Sequence, residues 1–314
     1  MSAYTRNGLR KVRPAGPGSR VRILAPASPF ERQVFEDGVA ELRRLGFEPV
    51  WDDRVFEKTG YVAGTPQSRA QQLREALADT TIDAIIAVRG GYGSVQMLPL
   101  LSATDLPPGP PPAVIGYSDI TTLQIWLTVR HATVSIHGPM LDRRLSAGTD
   151  AYDPFSFLAS LRPEPMGPLC PSGVEVLRAG EARGMLVGGT LSQLVASLGT
   201  PWEFVPPTGA VLVLEDVGER PYRIDRMLEQ ARQAGWWSRV SGVVFGQMTR
   251  CDEPGGAVTA RQVIGDALSD MRGPVLFGFP TGHTTTPLVT VPWGVQARVV
   301  TGDTPGVIVE EATT

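Results

Sequence analysis

Apolar and polar positions alternate on two different periods along this chain. A short β-branched run at 21–25 predicts a first strand. Residues 31–45 carry Val34, Phe35, Val39, Leu42 and Leu45 at near-helical spacing, and Gly46 follows where a helix would end. A second strand is expected at 48–51. Thr65-Pro66 reads as a capping residue followed by proline in the first turn, and the helical pattern continues through 68–77. The uninterrupted run Ala84-Ile85-Ile86-Ala87-Val88, within 83–88, is what a parallel strand buried on both faces requires. Runs at 113–116 and 133–136 read as later strands. Such alternation of strand and helix predicts a parallel sheet with helices on both faces.

The rhythm breaks after residue 142. Residues 143–180 are rich in Pro, Gly and Ser, with one short helix expected at 155–161. This composition shift marks an interdomain linker. Beyond it, 184–187 predicts a strand entering a Gly188-Gly189 turn, and 190–198 a short helix. Strands follow at 211–214 and 243–245 with a helix at 221–234 between them. Residues 289–291 and 295–300 alternate like antiparallel strands. The fold class is therefore α/β, in two domains. An N-terminal Rossmann-like or flavodoxin-like domain spans 21–142. A C-terminal mixed α/β domain, with a β-barrel-like or swivelling sheet, spans 181–314.

Composition narrows the chemistry. A chain of 314 residues suits two cores, and a net charge of −3 gives no reason to expect a nucleic-acid partner. Only Lys11 and Lys58 are lysines, which argues against a Schiff-base enzyme, a Ser–Lys dyad and a phosphate-loop NTPase. His131, His137 and His283 lack metal-ligand spacing, so neither metal nor cofactor is expected. Cys170 and Cys251 read as two lone thiols in a reducing compartment. Residues 1–20 hold five basic residues, no acid and no apolar segment, which suits a flexible solvated tail rather than a secretory signal. No run is long and apolar enough to predict a membrane span. A cytoplasmic location is the expectation.

Three segments carry candidate chemistry. Ala113-Val114-Ile115-Gly116-Tyr117-Ser118-Asp119 reads as a strand turning sharply into a helix. A serine at such a corner exposes its hydroxyl, and the next N–H, that of Asp119, points where an oxyanion would form. Val211-Leu212-Val213-Leu214-Glu215-Asp216 puts a carboxylate at a strand end. The two acids alternate to opposite faces, so only one meets a cleft. Phe279-Pro280-Thr281-Gly282-His283 puts a histidine in a loop after another strand. Serine, carboxylate and histidine in that order are the parts of a serine hydrolase. Arg89-Gly90-Gly91-Tyr92-Gly93 follows the central strand, where open α/β sheets place ligands. It is not the dinucleotide-binding glycine pattern.

Taken together, the chain resembles the LD-carboxypeptidases from about Val21 to about Val300. These serine peptidases include cytoplasmic murein tetrapeptide carboxypeptidases and microcin C immunity proteins. The resemblance is carried by Leu24-Ala25-Pro26-Ala27-Ser28, the Arg89 to Gly93 segment, Gly116-Tyr117-Ser118-Asp119, His137-Gly138-Pro139-Met140 and Gly188-Gly189-Thr190-Leu191. It continues through Leu214-Glu215-Asp216-Val217-Gly218-Glu219, Pro221-Tyr222-Arg223-Ile224-Asp225-Arg226 and Gly282-His283. It implies a Ser118, Glu215, His283 triad, with Glu215 preferred to Asp216, and an oxyanion hole from the Gly91 and Asp119 N–H groups. Arg89, Gly90 and His137 are candidate substrate contacts. The resemblance further implies a muropeptide substrate, release of terminal D-alanine during wall recycling, and a homodimer. The alternative reading is an immunity-type amidase acting on peptidyl or aminoacyl nucleotide toxins. A non-catalytic binding protein on the same scaffold is the reading from another class.

Overall fold

Short strands of three to five residues, joined by helices and 3₁₀ turns, form the first layer of the fold. The structure is a computed structural model that describes residues 9–314. The first sheet contains β1 (Arg20–Leu24), β2 (Glu48–Val50), β3 (Ala84–Ala87), β4 (Ala113–Gly116) and β5 (Ser135–His137). Their order is β2-β1-β3-β4-β5, all parallel, which is the flavodoxin-like arrangement. Every residue of β3 and β4 is buried, because helices cover both faces. Helices α1 (Arg32–Arg44) and α2 (Pro66–Ala78) are the main covers. Thr65 caps α2 by accepting from the Ser68 N–H at 3.1 Å, as its sequence predicts. A short α3 (Thr121–Gln124) follows β4 and continues as a π-helical stretch over Ile125–Arg130.

The expected linker is built into the fold. After α4 (Pro154–Ala159), it supplies β6 (Gly167–Leu169) and β7 (Glu175–Arg178), the two edges of the second sheet. Pro168 is tolerated in β6 because an edge strand needs no N–H on its open side. The next strand, β8 (Ala182–Thr190), runs through Gly188 and Gly189 instead of turning there. α5 (Leu191–Ala196) and β9 (Ala210–Glu215) follow. Then come α6 (Pro221–Gln233), β10 (Val240–Gly246), α7 (Ala260–Ala267) and β11 (Val275–Phe279). β12 (Val291–Trp293), β13 (Gln296–Val300) and β14 (Gly306–Val309) complete the set. The second sheet has the order β6-β14-β13-β8-β9-β10-β11-β7, parallel at its centre and antiparallel toward both edges. With its two edges left open it is the barrel-like mixed sheet expected, not a closed barrel.

Two further departures matter. β12 does not join its neighbours in sequence. It crosses back and pairs antiparallel with β5, Val291 opposite His137. The basic arm also departs from a solvated tail over its described part, 9–20. Leu9 and Val12 are buried, the Val12 N–H donates to the Thr313 carbonyl at 3.0 Å, and Lys11 pairs with Glu311 at 2.5 Å. Residues 1–8 of that arm lie outside the described residues. Among the described residues no helix is long and apolar enough to cross a membrane.

Candidate active site

The carboxyl ends of both parallel sheet centres meet at one cleft of about 160 Å³. Ser118 follows β4, Gly90 and Gly91 follow β3, and His283 follows β11; all four line it. Ligands bind at such strand ends because the loops there are free to carry functional groups.

Ser118 sits at a strained corner. Tyr117 is still extended at φ −149°, Ser118 turns to φ +64°, and a 3₁₀ turn over Ser118–Ile120 leads into α3. A left-handed serine costs about 1–2 kcal/mol through its Cβ contact, and the cost lifts the side chain out of the strand. Asp119 lies at the second position of that turn, where a helix N–H has no partner within the helix. The Gly91 N–H makes no hydrogen bond among the described residues. Gly90 lies directly over the serine. A Cβ there would come within 2.8 Å of Ser118 Cβ and 3.0 Å of its Oγ, so any side chain would push the serine aside.

Glu215 ends β9 opposite Thr190, which ends β8. The carboxylate is 1% exposed. Oε1 accepts from the Thr190 hydroxyl, while Oε2 accepts the His283 backbone N–H at 2.8 Å and lies 2.7 Å from His283 Nδ1. This double hold needs Gly282, at φ +69°, because any side chain there would run into the Glu215 carboxylate. Burial raises the Glu215 pKa, but the His283 charge and the hydrogen bonds from His283 and Thr190 outweigh it and hold it at about 2. For His283, burial disfavours the charged ring, and the Glu215 charge and hydrogen bond overcome this and raise the pKa above 6.5. With Nδ1 engaged, Nε2 is the nitrogen left for other partners. Asp216 points to the opposite face. Its oxygens accept the Ser192 N–H at 2.8 Å and the Val217 N–H at 2.9 Å, and burial pushes its pKa up to about 6.

His137, a candidate substrate contact by its sequence, does not line the cleft. It is 0% exposed and has neither ring nitrogen partnered among the described residues. Burial pushes its pKa down to about 4, so the ring is neutral. The Tyr117 ring sits edge-on between His137 and His283, at 6.0 and 5.0 Å. Arg89 lines the cleft but is braced, with Nε 3.3 Å from Asp142 and Nη1 donating to the Pro29 carbonyl at 3.2 Å.

Two buried arginines support the site, and neither is evident in the sequence. Arg144 is 8% exposed. It donates to the Tyr117 hydroxyl at 3.3 Å, the Gly282 carbonyl at 2.8 Å and the Thr284 carbonyl at 3.2 Å. It thus ties the residue before Ser118 to the loop carrying His283. Arg69 donates to the Pro26 and Gly93 carbonyls, each at 2.7 Å, and fixes the glycine loop from below. Arg144 falls in the proline-rich stretch that composition marks as linker. Arg69 falls on the helical pattern as an ordinary polar position. Among the described residues no group of three or more His, Cys, Asp or Glu side chains comes together as a metal site would.

Comparison with known proteins matches the chain in two segments. Residues 21–138 match the LD-carboxypeptidase N-terminal domain, and residues 183–299 the LD-carboxypeptidase C-terminal domain. A Streptomyces coelicolor protein bearing the name carboxypeptidase is 37% identical over 92% of this chain and 93% of its own length. The murein tetrapeptide carboxypeptidase of Pseudomonas aeruginosa is 32% identical over 84% of this chain and 88% of its own. Among solved structures, an inactive mutant of the microcin C7 self-immunity protein without ligand superposes with a TM-score of 0.86. It covers 97% of this chain and 99% of its own at 22% identity, a likeness of fold. With its two halves matched and full-length relatives above 30% identity, the chain belongs to the LD-carboxypeptidase family.

Proposed function

We propose that the protein is a serine LD-carboxypeptidase that removes terminal D-alanine from peptidoglycan-derived tetrapeptides. One observation carries the reading. The strained Ser118 and the Glu215-held His283 line a single cleft, and Gly90 and Gly91 line it with them. Ser118 Oγ attacks the carbonyl carbon of the bond between the L-centre of the diamino acid and D-alanine. His283 Nε2 takes the hydroxyl proton, and Glu215 stabilises the resulting imidazolium. The Gly91 and Asp119 N–H groups hold the oxyanion. The tetrahedral intermediate collapses, the C–N bond breaks, and His283 returns the proton to the departing amine. Water, deprotonated by His283, then hydrolyses the acyl-enzyme and frees Ser118. No step requires a metal. The murein-named relatives support the peptide substrate, and recycling of wall fragments in the cytoplasm is the setting that fits it.

The test is turnover of a defined tetrapeptide, L-Ala-D-Glu-diamino acid-D-Ala, by the purified protein, read by mass spectrometry. D-Alanine release that is abolished in Ser118→Ala is expected. Cleavage of an aminoacyl sulfamoyl nucleotide with no D-alanine release would replace this reading by the immunity-type amidase, on the same triad. Inertness toward both would leave a binding protein.

A further inference from the structure

Backbone strain in this protein concentrates at the cleft. Among the described residues five non-glycine residues have positive φ: Ser118, Ala132, Arg143, Met248 and Arg250. Three of them, Ser118 at +64°, Arg143 at +64° and Arg250 at +58°, line the same cleft. Such conformations persist only where the surroundings over-determine them, and they gather at binding and catalytic sites. The two arginines come from different halves of the chain. Arg143 lies beyond β5, and Arg250 lies beyond β10.

Their charges are unspent. Arg143 and Arg250 are exposed, and neither side chain makes a hydrogen bond or ion pair among the described residues. By contrast, Arg89 is already committed to Asp142 and the Pro29 carbonyl. Asp142 is also the one carboxylate that lines the cleft, and Arg89 takes it. The cleft therefore holds two uncompensated positive charges in a chain whose net charge is −3. A guanidinium offers a planar fork of N–H donors that matches a carboxylate, and the pairing strengthens where water is displaced.

We infer that Arg143 and Arg250 form a carboxylate clamp for the free C-terminus of the peptide. The inference rests on reading the cleft as a carboxypeptidase site. A peptide losing its last residue carries its carboxylate one residue beyond the scissile carbonyl, about 4 Å along the chain. An anion subsite in the cleft of Ser118 therefore measures off one residue and rejects internal peptide bonds. Because the clamp draws one arginine from each half, a bound substrate also bridges the halves.

The experiment compares the tetrapeptide acid with its C-terminal amide. Turnover is measured for the unmodified protein, Arg143→Gln and Arg250→Gln. Binding of both peptides by Ser118→Ala, with and without each substitution, is measured by calorimetry. Glutamine keeps a long polar side chain on the same backbone, and circular dichroism checks folding. The unmodified site is expected to prefer the acid. Each substitution is expected to reduce that preference about tenfold or more, since hydrogen bonds to charged groups carry at least that much. The loss should appear as a higher KM for the acid, with the amide little affected. An acid-to-amide ratio that stays constant across the variants, in turnover or in binding, overturns the clamp. If the protein turns over neither peptide but binds the acid in an arginine-dependent way, the clamp stands and the proposed reaction falls.

Discussion

The Arg144 guanidinium donates to the carbonyl of Gly282, the residue before His283, at 2.8 Å. Through its second contact, to the Tyr117 hydroxyl, the same side chain also reaches the residue before Ser118. One buried cation thus sets the distance between two loops that arise from different sheets.

Replacing it tests that role. Arg144→Met keeps most of the volume and removes the donors, leaving buried carbonyls unpaired at a cost of about 1–3 kcal/mol each. Turnover should fall about tenfold to a hundredfold, because small misplacements of reacting groups are costly. The Arg144 charge also holds the His283 pKa down. The acid limb of the pH–rate profile should therefore move to higher pH in the variant. A loss of rate with no movement of the limb would reduce Arg144 to a packing residue.

The pH dependence of the unmodified protein follows from the His283 shift. In the proposed mechanism His283 must be neutral to accept the Ser118 proton, and its pKa is raised above 6.5 by Glu215. Thus kcat/KM should rise with pH through an inflection above 6.5. In Glu215→Gln that inflection should fall while the maximal rate drops. Stability should run the other way. The raised His283 pKa contributes fully below 6.5 and is lost as pH rises through the folded value. The Glu215 pKa, lowered to about 2, contributes above 4.5 and is lost as pH falls below that. The pair therefore stabilises most between about 4.5 and 6.5. Thermal denaturation of Glu215→Gln beside the unmodified protein across this range checks the sign.

Ser118 allows strain and chemistry to be measured separately. If Ser118 is the nucleophile proposed, Ser118→Ala and Ser118→Gly should both lose at least about a thousandfold in turnover, as loss of a triad member does. Alanine retains the cost of φ +64°, whereas glycine adopts it freely. The glycine variant should therefore be the more stable of the two by about 1 kcal/mol. Equal melting temperatures would mean that the corner carries no such cost.

At Gly90 the expectation is nearly the reverse. An alanine Cβ would press on Ser118 Cβ and Oγ. Gly90→Ala should fold and should lose about tenfold to a hundredfold in kcat by displacing Ser118, the proposed nucleophile. Unchanged kcat would show that the loop yields more easily than its hold by Arg69 suggests.

Chelation should leave activity intact, since no cluster of three or more ligating side chains occurs among the described residues. Loss of rate in EDTA with recovery on adding zinc would contradict the mechanism.

Much of this was legible in the chain. The fully buried run of β3 and the corner at Ser118 announce themselves because burial on both faces and a strand-to-helix turn leave local marks. Glu215 and Asp216 were separable in principle by strand alternation, and the structure puts them on opposite faces. Local pattern did not reveal what depends on distant partners. Pro168 reads as a breaker, yet it fits an edge strand. Gly188-Gly189 reads as a turn, yet it continues β8 beside β9. His137 reads as polar and available, yet Trp293 from β12 packs against its ring at 5.1 Å and closes it off. Arg144 has no local signature at all, because its meaning lies in carbonyls 138 and 140 residues away.

The crossing of β12 has a consequence for how the molecule comes apart. Val291-Pro292-Trp293 forms the outer edge of the first sheet while the chain on either side belongs with the second. A cut between the two matched segments would strip β5 of β12 and leave an open edge prone to pairing with other chains. Neither piece inherits a finished core. Melting should consequently be a single cooperative transition in a calorimeter, and Ser118 and His283 should lose their shared environment at the same temperature.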